Sequence, residues 1–366
     1  MFTSAARSMG YEVIVLDPDP DSPAGSMATR HLQTAYTDRE ALDYLALKCE
    51  VITTEFENIP AEALCYLADK RPVYPSANAL AITQNRIREK TFIQSLGLAT
   101  SPFIAVEDEK DLELSHRVSF PAILKTATLG YDGKGQIVCQ RQEDVIDAYR
   151  QLNTACVLEQ RIELDKEISV VLARNRNGQS FCFPAAKNEH VNGILDASTA
   201  PAGISDDLEA RAQAAAQTLA DGLDYCGVLA VEFFVSTAGE LLVNEIAPRP
   251  HNSGHYTLDA CYSSQFEQQV RMICDLPPGN TELHTPVVML NLLGDVWPDQ
   301  RVPPWQDILV QDKAKLHLYG KKQARIGRKM GHINFLADST LMARQQLEQA
   351  RIRLQQEVDK GFDKSD

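Results

Sequence analysis

The chain has 366 residues, room for two or three domains of ordinary size. Hydrophobic residues make up 44% and charged residues 23%, the composition of a globular protein with real cores. Its formal net charge of −14 excludes a nucleic-acid coat or an anionic-membrane binder, since both need a basic footprint, but leaves room for a local phosphate pocket.

The run Met1–Arg7 holds no apolar signal core, and Val13–Leu16 is far too short to be one or to span a bilayer. Eight cysteines are scattered without a C-x-x-C pair, which excludes a zinc ribbon and a secreted disulfide framework. Reduced thiols and a cytoplasmic location are the expectation.

In chain order, Phe2–Met9 reads as a helix and Tyr11–Leu16 as a strand ending at the turn cluster Asp17-Pro18-Asp19-Pro20. Asp38 can cap a helix through Leu47, Val51–Thr54 is a second strand, and Pro60 suits a helix's first turn. Val73-Tyr74 leads to Ser76, another N-cap. This alternation predicts a parallel sheet covered by helices. Short strands follow at Phe103–Val106, Ala122–Lys125, Gln136–Cys139, Ala155–Gln160 and Ile168–Ala173. A helix over Asp206–Gly222 precedes adjacent strands Gly227–Val235 and Leu241–Ile246. The tail carries strands near Val287–Leu293, Lys315–Leu318 and His332–Leu336, then a polar helix, Thr340–Lys360. The expected architecture is an α/β front, an α+β middle and a mixed tail, divided near 1–100, 101–285 and 286–366.

The strongest physical signal is a hairpin. The apolar strands around Ser236-Thr237-Ala238-Gly239 set Glu232 opposite Glu245 if they pair about a centre between Ala238 and Gly239. Opposed side chains lie about 5 Å apart on one face. Two carboxylates so placed repel each other unless a cation sits between them, and all-oxygen ligation with Asn244 nearby suits magnesium. The other reading is a pair of solvent-facing glutamates on an edge strand, or a register shifted by one. The loop Pro248-Arg249-Pro250-His251-Asn252-Ser253-Gly254-His255 follows directly and favours a site.

A second signal is a strand ending in Lys125, followed by Gly130-Tyr131-Asp132-Gly133-Lys134-Gly135. Three glycines in six residues let backbone N–H groups turn toward an anion, with Lys125 as a point charge. The loop leads into a strand and lacks Gly-Lys-Ser/Thr, so it is not a Walker A loop. A glycine-rich hairpin turn stands as the plain alternative.

Together these stretches resemble the ATP-grasp superfamily, and within it the N5-carboxyaminoimidazole ribonucleotide synthetases. The resemblance is carried by Glu55-Phe56-Glu57-Asn58, Gln84–Lys90, Gly130–Gln136, Asn188-Glu189-His190, Gly193-Ile194-Leu195, Asn244–Arg249, His251–His255 and Gly327–His332. It implies an ATP-grasp fold with an N-terminal parallel α/β domain and a small mixed C-terminal domain. It also implies ATP-dependent carboxylation of 5-aminoimidazole ribonucleotide with bicarbonate, through carboxyphosphate, in purine biosynthesis.

By the resemblance, Arg86 and Lys125 contact ATP phosphates, and Gly130, Tyr131, Asp132, Gly133, Lys134, Gly135 and Gln136 form the mobile loop over them. Glu159, Gln160, Arg161 and Ile162 line the adenine pocket, Glu167 holds the ribose, and His190, Asn244 and Glu245 complete the nucleotide site. Glu232 and Glu245 fall on the Mg2+ ligands. One of the pair Glu55 and Glu57, with Tyr131, Asp132, Lys321, Arg328 and Lys329, meets the ribonucleotide, though the basic cluster also reads as a solvated turn. Arg249 and Asn252 are assigned to bicarbonate. ATP is expected between the middle and last segments, and the chain as a homodimer. Relatives begin with a strand and a Gly-Gly-Gly-Gln-Leu-Gly-like turn that this sequence does not contain. A front sheet without its first, central strand and with exposed apolar edges is therefore expected, from a start further upstream or a compromised product. Another ATP-grasp ligase and a non-catalytic ATP-binding protein are the competing readings.

Overall fold

The computed structural model describes residues 1–130, 134–297 and 300–362. Its front is built from small parallel units. Ile14–Leu16 pairs with Arg30–Leu32, and Ile52–Thr53 pairs with Val73–Tyr74. Among the described residues these two pairs do not join into one sheet. A cavity of 890 Å³ lies between them, lined by Ile14, Leu16, Leu45, Ile52, Leu64 and Ile273 among others. The front helices are capped as the sequence predicts: the Asp38 side chain accepts from Ala41 N–H, and Ser76 from Ala79 N–H. Pro60 sits one place earlier than expected, as the N-cap of Ala61–Ala68.

Two antiparallel sheets follow. A four-stranded sheet runs in the order 103–106, 156–160, 122–126, 136–139. A nine-stranded sheet runs 241–247, 227–236, 164–174, 186–191, 194–200, 287–293, 329–336, 314–318, with 180–182 on the strand 164–174. The tail strands therefore extend the middle segment's sheet. The hairpin 186–200 was not anticipated; its strands carry Lys, Asn, Glu, His, Asp, Ser and Thr and lack an apolar pattern.

Both faces of the large sheet are covered, so its central strands read as continuous apolar runs. On one face Val170, Leu172, Leu229 and Val231 meet the alanine-rich helix Asp206–Gly222 through Ala212, Ala216, Leu219 and Ala220. On the other, Val171, Ala173, Val228 and Ala230 pack on Tyr256 and Met272. Strand alternation puts Glu232 on the second face, in line with Val228 and Ala230.

Candidate active site

Glu232 does pair with Glu245, by a route more irregular than a uniform hairpin. The turn joins Ser236 N–H to the Glu240 carbonyl at 3.0 Å, with Gly239 at φ +82°. From there Val235 faces Leu241 and Phe233 faces Val243. A bulge at Asn244 then shifts the register by one and brings the glutamates opposite each other. The expected pairing centre was therefore displaced, and the extra residue restores the pair. Asn244 Oδ1 is left buried without a hydrogen-bond partner.

The two carboxylates behave differently. Burial, and then the charge of Glu245, push Glu232 up to about 8. Burial would also raise Glu245, but Arg86 and Lys125 outweigh it and hold it below the usual range. Arg86 Nη1 lies 3.3 Å from Glu245 Oε2. His251 Nε2 approaches Glu232 Oε1 at 3.5 Å, while burial, Arg249 and Lys329 keep the imidazole well below its ordinary value. One strand further along, His190 Nδ1 is 2.9 Å from Glu167 Oε2. Burial works against protonation of His190, yet Glu167 raises it overall.

Across the gap, Lys125 Nζ lies 3.1 Å from Glu159 Oε2, and Lys90 Nζ reaches the same oxygen at 3.2 Å. Burial opposes ionisation of Glu159, but Lys125, Lys90 and Arg86 bring it down to about 2. Glu159 Oε1 is buried and unpartnered. Thr126, next to Lys125, organises what is described of the glycine loop. Its N–H donates to the Gly135 carbonyl at 2.8 Å, and a Cβ on Gly135 would lie 2.7 Å from its hydroxyl. With φ +71° as well, Gly135 is a position that needs glycine. Gly130 O accepts from Arg86 Nη2 at 3.4 Å. Tyr131, Asp132 and Gly133 lie outside the described residues.

The expected ATP residues thus converge between the four-stranded and nine-stranded sheets, with the helix Arg86–Ser95 bridging them. This corrects the expectation of a cleft between the middle and last segments. Gln160 and Arg161 leave the sheet with their N–H groups committed to the Pro102 and Pro121 carbonyls, and Ile162 follows.

Arg249 Nε and Nη2 both bond Glu57 Oε2, at 3.0 and 2.9 Å, joining two residues far apart in sequence. Nearby Asn252 is 7% exposed, and neither its Oδ1 nor its Nδ2 has a partner among the described residues. A buried amide left so costs free energy, which a bound ligand would recover. Lys329 comes close enough to influence Glu232 and His251. Lys321 donates to the Lys329 carbonyl at 2.7 Å, whereas Arg328 is turned to the Gln323 carbonyl at 2.8 Å within its own loop. Lys134 and Gln136 are exposed.

Sequence reading overlooked Glu89, Lys90 and the role of His251. Glu89 Oε1 accepts from Ile246 N–H at 2.6 Å, and burial, then Glu245, push the acid up to about 8. The available signal was spacing: Arg86, Glu89 and Lys90 stand at i, i+3 and i+4, one helix face.

The donors fit magnesium: two carboxylates on neighbouring strands, an amide oxygen without a partner among the described residues next to them in the chain, and a Glu232 that burial, and then the charge of Glu245, make reluctant to ionise without a cation. Among the described residues no group of three His, Cys, Asp or Glu could hold a metal, so this set needs further ligands such as water and phosphate oxygens.

A lysine and an arginine set against paired carboxylates between two antiparallel sheets define an ATP-grasp protein. The family models agree: Ribonucleotide synthetase preATP-grasp domain matches residues 1–84, ATP-grasp domain 91–266, and Phosphoribosylaminoimidazole carboxylase C-terminal domain 287–346. N5-carboxyaminoimidazole ribonucleotide synthase of Bacillus subtilis is 44% identical over 338 residues, covering 92% of this chain and 88% of that protein. The solved synthetase from Thermus thermophilus is 38% identical with a TM-score of 0.89, covering 96% of this chain and 95% of its own. The Aspergillus clavatus synthase in complex with ADP and 5-aminoimidazole ribonucleotide is 28% identical with a TM-score of 0.90, covering 97% and 95%. The chain belongs to the N5-carboxyaminoimidazole ribonucleotide synthase family.

Proposed function

We propose that the chain is an ATP-dependent carbon–nitrogen ligase of purine biosynthesis. It carboxylates 5-aminoimidazole ribonucleotide with bicarbonate to N5-carboxyaminoimidazole ribonucleotide. The observation that carries the reading is the Glu232–Glu245 pair facing Arg86 and Lys125 between the two sheets. The proposed division of the chain is 1–100, 101–285 and 286–366; the order of the three matched stretches, 1–84, 91–266 and 287–346, supports it.

ATP phosphates meet Arg86, Lys125 and the loop Gly130–Gln136. Glu159, Gln160, Arg161 and Ile162 surround the base, Glu167 takes the ribose hydroxyls, and His190 and Asn244 flank the nucleotide. Magnesium, when bound, offsets phosphate charge, and Glu232 and Glu245 would hold it. Arg249 and Asn252 bind bicarbonate; the unpartnered Asn252 amide supports this, and His251 and Lys329 stand close by. Glu57, Tyr131, Asp132, Lys321, Arg328 and Lys329 receive the ribonucleotide.

Bicarbonate oxygen attacks the γ-phosphorus, giving carboxyphosphate and ADP. The exocyclic amine then takes the carboxyl group, or CO2 released from the intermediate, and inorganic phosphate leaves. Neither step needs a protein nucleophile, so catalysis consists of positioning, charge neutralisation and exclusion of water. The Arg249–Glu57 ion pair holds the guanidinium in place while leaving Nη1 bonded only to the Pro250 carbonyl at 3.1 Å. Eight free cysteines suit a reducing cytoplasm, and no helix among the described residues is long and apolar enough to cross a membrane. A homodimer is carried over from the family.

The test is ADP release with each co-substrate omitted in turn. The reading expects release to depend on both bicarbonate and the ribonucleotide. Release indifferent to both contradicts it, and no release at all favours a binding-only protein.

A further inference from the structure

The helix Arg86–Ser95 presents three charges on one face, and each meets a different anchor. Arg86 reaches Glu245, Glu89 receives the Ile246 N–H, and Lys90 reaches Glu159. Two anchors belong to the nine-stranded sheet and one to the four-stranded sheet. Lys90 is the extreme case, fully buried at 0% exposure. A buried ammonium costs several kcal/mol unless compensated, and the mechanism above gives this one no task.

Its geometry supplies one. Lys90 and Lys125 share a single oxygen, Glu159 Oε2, at 3.2 and 3.1 Å. Glu159 is 2% exposed and stays ionised. Without Lys90, and with Arg86 already paired to Glu245, it would form a neutral pair with Lys125, and the lysine's attraction for an anion would be largely cancelled. With Lys90 added, the cluster of two ammoniums and one carboxylate carries one net positive charge. Lys90 has no opening to the cleft, while Lys125 retains 13% side-chain exposure and is the member an anion can approach.

We propose that Lys90 is a positioning residue that offsets the Glu159 carboxylate, so that Lys125 presents an uncancelled charge to the nucleotide phosphates. The inference rests on the reading of Lys125 as a phosphate contact. At separations of several ångströms in a medium of reduced dielectric constant, losing that charge weakens anion binding about tenfold or more.

The experiment measures ADP and adenosine binding by calorimetry to the full chain at fixed magnesium. Lys90→Met should weaken ADP about tenfold and leave adenosine within about twofold of wild type. Lys90→Arg should restore most of the loss. Lys90→Met/Glu159→Gln, which removes both buried charges, should return the ADP-to-adenosine affinity ratio to the wild-type value and remains measurable if the single variant fails to fold. Lys125→Met is the control. Unchanged ADP binding in Lys125→Met overturns the phosphate reading and the role of Lys90 with it. Loss in Lys125→Met with wild-type ADP binding in Lys90→Met overturns the role of Lys90 alone. Equal loss of ADP and adenosine in Lys90→Met, or a ratio that stays low in the double variant, shows a merely structural lysine and also overturns it.

Discussion

The front of the molecule and its central sheets solve the burial problem differently. Residues 1–84 offer strands of two or three residues in separate parallel pairs, facing each other across a cavity of 890 Å³. The centre offers strands of ten and eleven residues, 227–236 and 164–174, hydrogen-bonded along nearly their whole length and covered on both faces. Glu232 is buried on the second arrangement, and Glu89, Lys90 and Glu159 are buried on the helix and the four-stranded sheet beside it. Buried charges need partners held at fixed distances, and the central sheets with their bridging helix supply them.

The largest expected effect breaks the central site and spares the fold. Glu245→Gln should lower ADP formation by roughly a thousandfold, with an unchanged melting temperature in the absence of ligands. Near-wild-type turnover with magnesium supplied would end the assignment. The scaffold comparison is sharpened by two truncations. Leu172→Ala, at 0% exposure in the sheet core, should cost about 3–5 kcal/mol in urea unfolding. Leu45→Ala, whose side chain already borders the front cavity, should cost about 2 kcal/mol, the low end for a buried leucine. Equal losses would mean that the front is packed as tightly as the centre.

A smaller effect is expected from Asn252→Ala. It should raise KM for bicarbonate about tenfold and leave KM for ATP alone; a rise in KM for ATP instead would move Asn252 to the nucleotide.

The mildest effect is a slope. Glu89 and Glu232 hold protons up to about 8 when folded but lose them near their ordinary value when unfolded. Raised His190 acts in the same sense, losing its advantage as pH rises through its folded value. Buried His251, His255 and His332, all lowered, act oppositely, yet their contribution is complete once the unfolded histidines are neutral above about 6.5. Ligand-free stability should therefore fall as pH rises from about 6.5 to 8. Glu89→Gln, which can still accept the Ile246 N–H, should flatten that fall in thermal melts. An unchanged slope would remove Glu89 from the account.

How much of this was legible in sequence depended on whether burial left a pattern. Apolar strands such as Gly227–Val235, the helix Asp206–Gly222 and the caps at Asp38 and Ser76 were readable because side-chain type and position agree there. The glutamate pair was readable too, although its register depends on a bulge at Asn244 that composition does not announce. The polar hairpin 186–200 gave no period-two apolar signal because buried Asn188 accepts from the Ser198 hydroxyl, while Glu189 and Asp196 meet Arg344 and Arg351 of the last helix. The inner face of Arg86–Ser95 was hidden for a related reason: Glu89 and Lys90, which look like surface residues, are its most deeply buried charges. In both places tertiary partners, which no local pattern records, decide what is inside.

The proposed role of ATP in this cleft is to activate bicarbonate. The most direct measurement supplies bicarbonate labelled with oxygen-18, together with ATP, magnesium and 5-aminoimidazole ribonucleotide, and follows the label by mass spectrometry. Transfer of bicarbonate oxygen to the γ-phosphorus predicts one labelled oxygen in the inorganic phosphate of each turnover. Phosphate that stays unlabelled while N5-carboxyaminoimidazole ribonucleotide accumulates would contradict it.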